Sequence, residues 1–379
     1  MRARGNRSVR EAEEGVTVGF YAPLPPARTG VAEHASALLA ALRRHGRVEI
    51  APPRCDVALY HLGNNPLHAE IYRRALERPG LVVLHDAVLH HFLLGTLDQA
   101  RYVDEFAYNY GEWNRGLAET LWRERAGSAS DARYFRFPML RRAVERARAV
   151  VVHNPAAARA VREHGGAALE IPLLHAGPES VDAAAAERWR QSLGIPTGTF
   201  VFGIFGYLRE SKRVIPVLET FARLHRENPR TALLVAGSFV SSDLQRAAAP
   251  WLAAEGIVRA PYLEEHAFHL AAGAVDACIN LRDPSAGETS AITIQFMALG
   301  KPVLVTASEE CARFPEDACL RVAPGIEERD SLWEHMVLLT SVPGMAHAVG
   351  SRGAAHIRAR HRIELIAQQY WDMLCEYRC

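Results

Sequence analysis

At 379 residues the chain is too long for one ordinary core and fits two domains of roughly 150 to 200 residues each. Its 44 basic and 43 acidic side chains leave a net charge of +1, which removes the electrostatic case for a nucleic-acid partner. Six cysteines (Cys55, Cys278, Cys311, Cys319, Cys375 and Cys379) stand far apart with no Cys-x-x-Cys pair, which argues against both a disulfide framework and a zinc site and for a reducing compartment.

The first residues are charged and lack an apolar h-region, and no apolar run approaches the roughly 20 residues of a membrane span. A soluble, cytoplasmic protein is expected, with a disordered tail over residues 1–14. Val16–Tyr21 (VTVGFY) then reads as a strand, APLPPARTG as a loop, and the following stretch as a helix with Val31, Ala35, Leu38 and Leu42 at helical spacing. Further strands are predicted at Val57–His61, Leu81–His85 and Ala149–His153. About 185 residues after the first unit the logic repeats: FVFGIF (Phe200–Phe205), a polar loop GYLRESKR, and a helix with Val214, Leu218, Phe221 and Leu224 on one stripe. Neither copy carries a full Gly-x-Gly-x-x-Gly, so dinucleotide binding is not indicated. Strands follow at Ala232–Ala236, Ile257–Ala260, Ala277–Leu281, Val303–Val305 and Cys319–Val322. Strands alternating with helices imply parallel sheets covered on both faces. The Pro and Gly of residues 172–180 mark a linker. The division is therefore a first domain over 15–175, a second over 180–345, and a helical tail over 346–379.

The segment Leu281–Thr306 (LRDPSAGETSAITIQFMALGKPVLVT) reads as strand, polar loop, helix, strand, with Glu288, Thr289 and Ser290 at the helix start. Free amides and the helix dipole favour an anion there, phosphate being the usual one. Glu288 itself either favours the dipole, worth roughly 0.3–1 kcal/mol, or accepts sugar hydroxyls. Lys212, six residues after Gly206, is a fixed ammonium suited to a diphosphate; the alternative is that Arg209, Lys212 and Arg213 are a solvated helix start. Gly30 and Gly237 permit close backbone approach in the two strand-to-helix loops. GNNP (Gly63–Pro66) and HDAVLHH (His85–His91) lie at the carboxyl ends of strands, where ligands of open parallel sheets bind, so Asn64, Asn65, His85 and Asp86 face the expected crevice. Asp86 and His90, four apart, could share a metal, whereas a satisfied structural role suits His90 and His91. The aromatic run Tyr102–Trp113 reads as core or as a pocket lining. No Asp-x-Asp pair occurs.

These strings together resemble glycosyltransferase family 4, the group 1 glycosyltransferases, over nearly the whole chain. The resemblance implies a GT-B fold, two Rossmann-like domains facing a central cleft, with the tail crossing back to the first. It also implies a retaining, metal-independent transfer of sugar from a nucleotide-sugar to an acceptor (a glycan, a lipid-linked glycan or a small-molecule aglycone). No cofactor and no metal ligand is assigned, the nucleotide-sugar being a co-substrate. By the same resemblance Gly206 and Lys212 hold the diphosphate, Glu288 the sugar, and the amides of Thr289 and Ser290 a phosphate. The family's Arg after the glycine is Tyr207 here; Arg209, Arg213 or Arg282 would supply the missing charge. The family's two glutamates, separated by seven residues, count back from Gly300 to Gln295 and Gly287, so Glu288 belongs to a shortened variant with Gln295 on the ribose. Gly237 repeats the part of Gly30, and Tyr262 and Leu263 contact the base. Gly30, Asn64, Asn65 and Asp86 fall to the acceptor and His85 to the reaction centre. The alternatives are a sugar epimerase or phosphorylase of the same fold, or a catalytically decayed binding protein.

Overall fold

Short aliphatic and β-branched runs, most of them followed by a helix, build two sheets of six parallel strands. The computed structural model describes residues 15–27 and 29–378; the tail expected over residues 1–14 lies outside the described residues, as do Arg28 of the PARTG loop and Cys379. The first sheet comprises β1 (Thr17–Tyr21), β2 (Arg47–Ile50), β3 (Val57–Leu62), β4 (Leu81–Leu84), β5 (Ala149–Val152) and β6 (Ala168–Glu170), in the order β2-β1-β3-β4-β5-β6. The second comprises β7 (Phe200–Phe205), β8 (Thr231–Ala236), β9 (Ile257–Ala260), β10 (Ala277–Ile279), β11 (Val303–Thr306) and β12 (Leu320–Val322), in the order β12-β11-β10-β7-β8-β9. Strands β2 and β6 are not among those predicted from the sequence. Both are edge strands, four and three residues long, and their mixed RVEI and ALE carry no sustained apolar signal.

Two compact units result. Among the described residues, the first holds the chain up to Ala176, the four residues Ala286–Thr289, and those from His361 on; the second holds Gly177–Ser285 and Ser290–Arg360. The tail, expected as one helical stretch, is two helices, Met345–Arg360 in the second unit and Ile363–Glu376 in the first, the latter packed on the Gly30–Leu42 helix. His175 closes this arrangement by donating its amide to the His361 carbonyl at 2.8 Å.

Alternation along the strands sorts the first unit into two cores. Val18, Phe20, Val57, Leu59, Leu81, Val83, Ala149 and Val151 face the helices Gly30–Leu42 and Ile363–Glu376, meeting Leu38, Leu42, Ile366, Tyr370 and Leu374. Their neighbours Tyr60, Leu62, Val82, Leu84, Val150 and Val152 face the other way, against Phe92, Tyr102, Phe106 and Val161. Tyr102 and Phe106 are fully buried, so this part of the aromatic run is core, each such side chain stabilising the unit by about 1.5–3 kcal/mol; Trp113 stands out in solvent. In the second unit, Phe202, Ile204, Leu233, Val235, Ile279 and Leu304 pack under Val214, Leu218, Phe221 and Leu224, the stripe expected from helical spacing. Among the described residues no helix is long and apolar enough to cross a membrane.

Candidate functional site

In the second sheet the strand order reverses between β7 and β10, the switch point at which open α/β sheets form a crevice beyond their strand ends. Strand β7 ends at Phe205 and turns through Gly206, whose φ is +85°. Beside it Gly237 closes β8 with φ +146°, and a Cβ there would stand 1.9 Å from the Gly206 carbonyl oxygen. Only glycine allows the two turns to approach so closely. Lys212 follows in a short 3₁₀ turn, Glu210–Lys212, and is 7% exposed. Its Nζ donates to the Phe205 carbonyl, and a Cβ on Gly206 would lie 3.3 Å from that nitrogen. An ammonium is thus held beneath the glycine turn, on a lysine stem that the core buries.

The neighbouring cations differ. Arg209 is exposed. Arg213, in the left-handed conformation at φ +56°, donates Nε to both carboxylate oxygens of Glu328, which holds its guanidinium charged and in place. Arg282 donates to the Asn280 side-chain oxygen at 3.2 Å and to the Leu281 carbonyl at 3.0 Å. Tyr207 is exposed, and its ring lies 5.8 Å from that of Tyr262, centroid to centroid; Leu263 is half-buried. The helix Ala291–Ala298 is capped by Ser290, whose Oγ accepts from the Thr293 amide, while Asn280 Nδ2 donates to Ser290 Oγ at 2.8 Å and Thr293 Oγ1 at 2.7 Å. Gln295 sits half-buried on that helix.

The loop ahead of it, Ala286–Thr289, belongs to the first unit. Glu288 is half-buried and folds back to accept the Ala286 amide at 2.9 Å. Gly287, at φ +74°, comes so close to Ala87 that an added Cβ would meet its methyl at 2.6 Å. Asn154, which caps the Pro155–Glu163 helix through its oxygen, spends its Nδ2 on the Gly287 carbonyl (2.9 Å) and Thr289 Oγ1 (3.0 Å).

Of the residues expected to meet an acceptor, Asn64 and Asn65 use their side chains within the fold. Asn64 accepts the Phe92 amide at 2.8 Å and faces His91 Nδ1 at 3.2 Å, and its own amide donates to Asp86 Oδ2 at 2.7 Å. Asn65 caps the next turn through the Leu67 amide. Gly30 opens its helix with nothing within 4 Å of the point where a methyl group would stand. Asp86 and His90 do not share a helix, since Asp86 precedes the His90–Thr96 helix. His90 is instead a core residue bonded through both nitrogens, to the Phe137 carbonyl at 3.0 Å and Tyr102 Oη at 2.8 Å.

His85 lies just past β4, 7% exposed, with Nε2 3.0 Å from Nδ1 of His61. His34, His61 and His153 surround it, all buried, and none of these three belongs to a motif that the sequence marks as functional. Burial holds His61 down to about 3 and His153 to about 4, and pulls His34 and His85 well below the usual histidine range. These imidazoles are neutral near pH 7.

No family model matches the chain, and no curated protein matches it in sequence. Solved structures do match in shape. HepE of Anabaena, solved with UDP-glucose, superposes with a TM-score of 0.65 at 15% identity, over 95% of this chain and 100% of that one. Sucrose-phosphate synthase of Thermosynechococcus elongatus gives 0.66 at 16% identity, over 95% and 98%. WaaG, a glycosyltransferase involved in lipopolysaccharide biosynthesis, gives 0.61 at 15%, over 95% and 99%. The fold is GT-B. Identities this low establish the architecture alone.

Proposed function

We propose that the chain is a retaining glycosyltransferase that draws on a nucleotide-sugar donor in the cytoplasm. The observation that carries this reading is the buried ammonium of Lys212 at the β7/β10 switch point. A cation fixed beside a glycine turn at the switch point is placed to meet a diphosphate, and charge-assisted hydrogen bonds to phosphate are strong. As the glycosidic bond breaks, charge grows on the departing diphosphate, and a pre-placed cation stabilises that charge more than it stabilises the ground state.

In this reading Gly206 and Gly237 let the phosphates approach the backbone, and the Thr289 and Ser290 amides add donors. Glu288 takes sugar hydroxyls, Gln295 the ribose, and Tyr262 with Leu263 the base. Arg209 or Arg282 supplies the charge that Tyr207 lacks, since Arg213 is committed to Glu328. Transfer runs on one face of the sugar, the departing phosphate oxygen helping to deprotonate the acceptor hydroxyl. With no Asp-x-Asp in the chain, the diphosphate is neutralised by side chains and amides and needs no divalent ion. The acceptor falls to the first unit, beyond the carboxyl end of β4.

A thermal-shift screen of nucleotide-sugars, followed by an assay of nucleoside diphosphate release, tests this. A donor at 100 times its dissociation constant adds about 2.7 kcal/mol of stability. Stabilisation by a nucleotide-sugar and release only when an acceptor is added support the reading. A chain that no nucleotide-sugar or nucleoside diphosphate stabilises is not a transferase of this kind.

A further inference from the structure

Three successive strands of the first sheet end in the same way: VALYH over 57–61, LVVLH over 81–85 and AVVVH over 149–153. Because side chains alternate, each histidine falls on the same face as the two apolar residues at i−2 and i−4: Val57 and Leu59, Leu81 and Val83, Ala149 and Val151. Val83 pairs with both His61 and Val151 across the sheet, so the three imidazoles gather at one end of adjacent strands. The Gly30–Leu42 helix covers that face, and the side chain it places above them is His34. Its ring centre lies 5.1 Å from His85 and 5.5 Å from His153.

The chemistry of the cluster is unusual for a core. One ring nitrogen from each of His34, His61 and His85 lies within 4.8 Å of one from each of the others, and all three residues are buried. Both nitrogens of His34, and Nε2 of His61 and of His153, have no hydrogen-bond partner among the described residues. A packed interior rarely leaves so many imidazole nitrogens unanswered in one place. His153 donates through Nδ1–H to the Ile171 carbonyl at 2.9 Å, and His68 donates through Nδ1–H to the His61 carbonyl, also at 2.9 Å. An imidazole fixed by a backbone carbonyl on one nitrogen and open on the other is the usual posture of a metal ligand.

We propose that His34, His61 and His85 form a trihistidine site for a divalent transition ion of the zinc type, with His153 Nε2 or water in the fourth position. Zn–N bonds of about 2.0–2.1 Å in tetrahedral geometry set ligand nitrogens roughly 3.3 Å apart. The 3.0 Å between His61 and His85 is close to this, and His34, with a ring nitrogen within 4.8 Å of one from each of them, joins by a side-chain rotation that closes the remaining distance. All the candidate ligands belong to the first unit, so the ion serves that unit by fixing β3, β4 and the Gly30–Leu42 helix to one another. It is separate from the charge balance of the diphosphate.

The test uses the whole chain, untagged, stripped with a strong chelator and titrated with Co²⁺. One equivalent of Co²⁺ with the intense visible bands of tetrahedral nitrogen coordination, displaced by one equivalent of Zn²⁺ and accompanied by a rise in Tm, is the expected result. His34→Gln should weaken Co²⁺ binding by more than the roughly 10–100-fold that loss of a supporting partner behind a ligand costs. His153→Gln, if it folds, should alter the visible spectrum with a smaller loss of affinity. Sub-stoichiometric uptake without those bands in the wild-type chain overturns the proposal, whether or not the variants fold. Equal uptake by wild type and a folded His34→Gln chain also overturns it, since binding would then lie elsewhere.

Discussion

Arg213 Nε donates to both oxygens of Glu328, at 3.0 and 2.8 Å, joining residues 115 positions apart through a carboxylate that is 2% exposed. The ion pair ties the start of the Val214–Glu227 helix to the Glu328–Ser341 helix, which also pack side by side. Removing one member leaves a buried charge unanswered, and such losses run to about 3–5 kcal/mol. Arg213→Ala should therefore lower the urea midpoint strongly. Replacing both residues together, Arg213→Leu with Glu328→Leu, should recover most of the loss. If the single variant is as stable as wild type, the pair is not what fixes these helices.

Lys212→Ala is expected to behave differently. Its ammonium bonds the Phe205 carbonyl at the strand end, so its loss costs donor chemistry more than it costs architecture. Turnover should fall by about a hundredfold or more with the fold intact, as for removal of one donor aimed at developing charge. Lys212→Met, which keeps most of the volume, separates packing from charge: it should be as inactive as the alanine variant but more stable. Near-wild-type turnover in Lys212→Met would remove the lysine from the diphosphate.

How far these roles are legible in sequence follows from the range of the interactions. Strands such as β7, FVFGIF, announce themselves because every residue is apolar and the flanking loops are polar, whereas β2 and β6 gain their place only by pairing with a neighbour already formed. Lys212 is readable from its distance to Gly206 along the chain. Its burial is not, nor is the commitment of Arg213 to Glu328, which depends on a residue more than a hundred positions away. Asn64 looks like a ligand-binding residue in GNNP, yet its side chain answers the Phe92 amide, a demand visible only once the His90–Thr96 helix is in place. The histidines ending β3, β4 and β5 are regular in sequence, but the sheet alone shows that they share a face and meet His34.

Glu288→Gln should distinguish sugar from nucleotide. The carboxylate accepts the Ala286 amide, and an amide side chain can replace that contact through its oxygen, so the loop keeps its shape. Binding of the donor sugar-nucleotide should weaken while binding of the bare nucleoside diphosphate stays nearly unchanged. Calorimetric titration of both ligands decides it. Equal losses for the two would assign Glu288 to the nucleotide or to support of the loop.

Two glycines that the sequence presents as equivalents, Gly30 and Gly237, should respond in opposite ways to the same substitution. At Gly237 the backbone sits at φ +146°, and a Cβ would overlap the Gly206 carbonyl at 1.9 Å, so Gly237→Ala must push β7 and β8 apart at their ends. Both a lower Tm and weaker nucleoside diphosphate binding are expected, because the Gly206 turn beside Lys212 moves with it. At Gly30 a Cβ meets nothing within 4 Å and no left-handed backbone is required. Gly30→Ala at the start of a helix should stabilise the chain by up to about 0.4–1 kcal/mol through the unfolded state. Any loss of transfer in that variant would then be steric, at an acceptor that approaches the backbone there. Unchanged acceptor KM together with the gain in Tm would instead make Gly30 an ordinary strand-to-helix turn and take it out of the acceptor site.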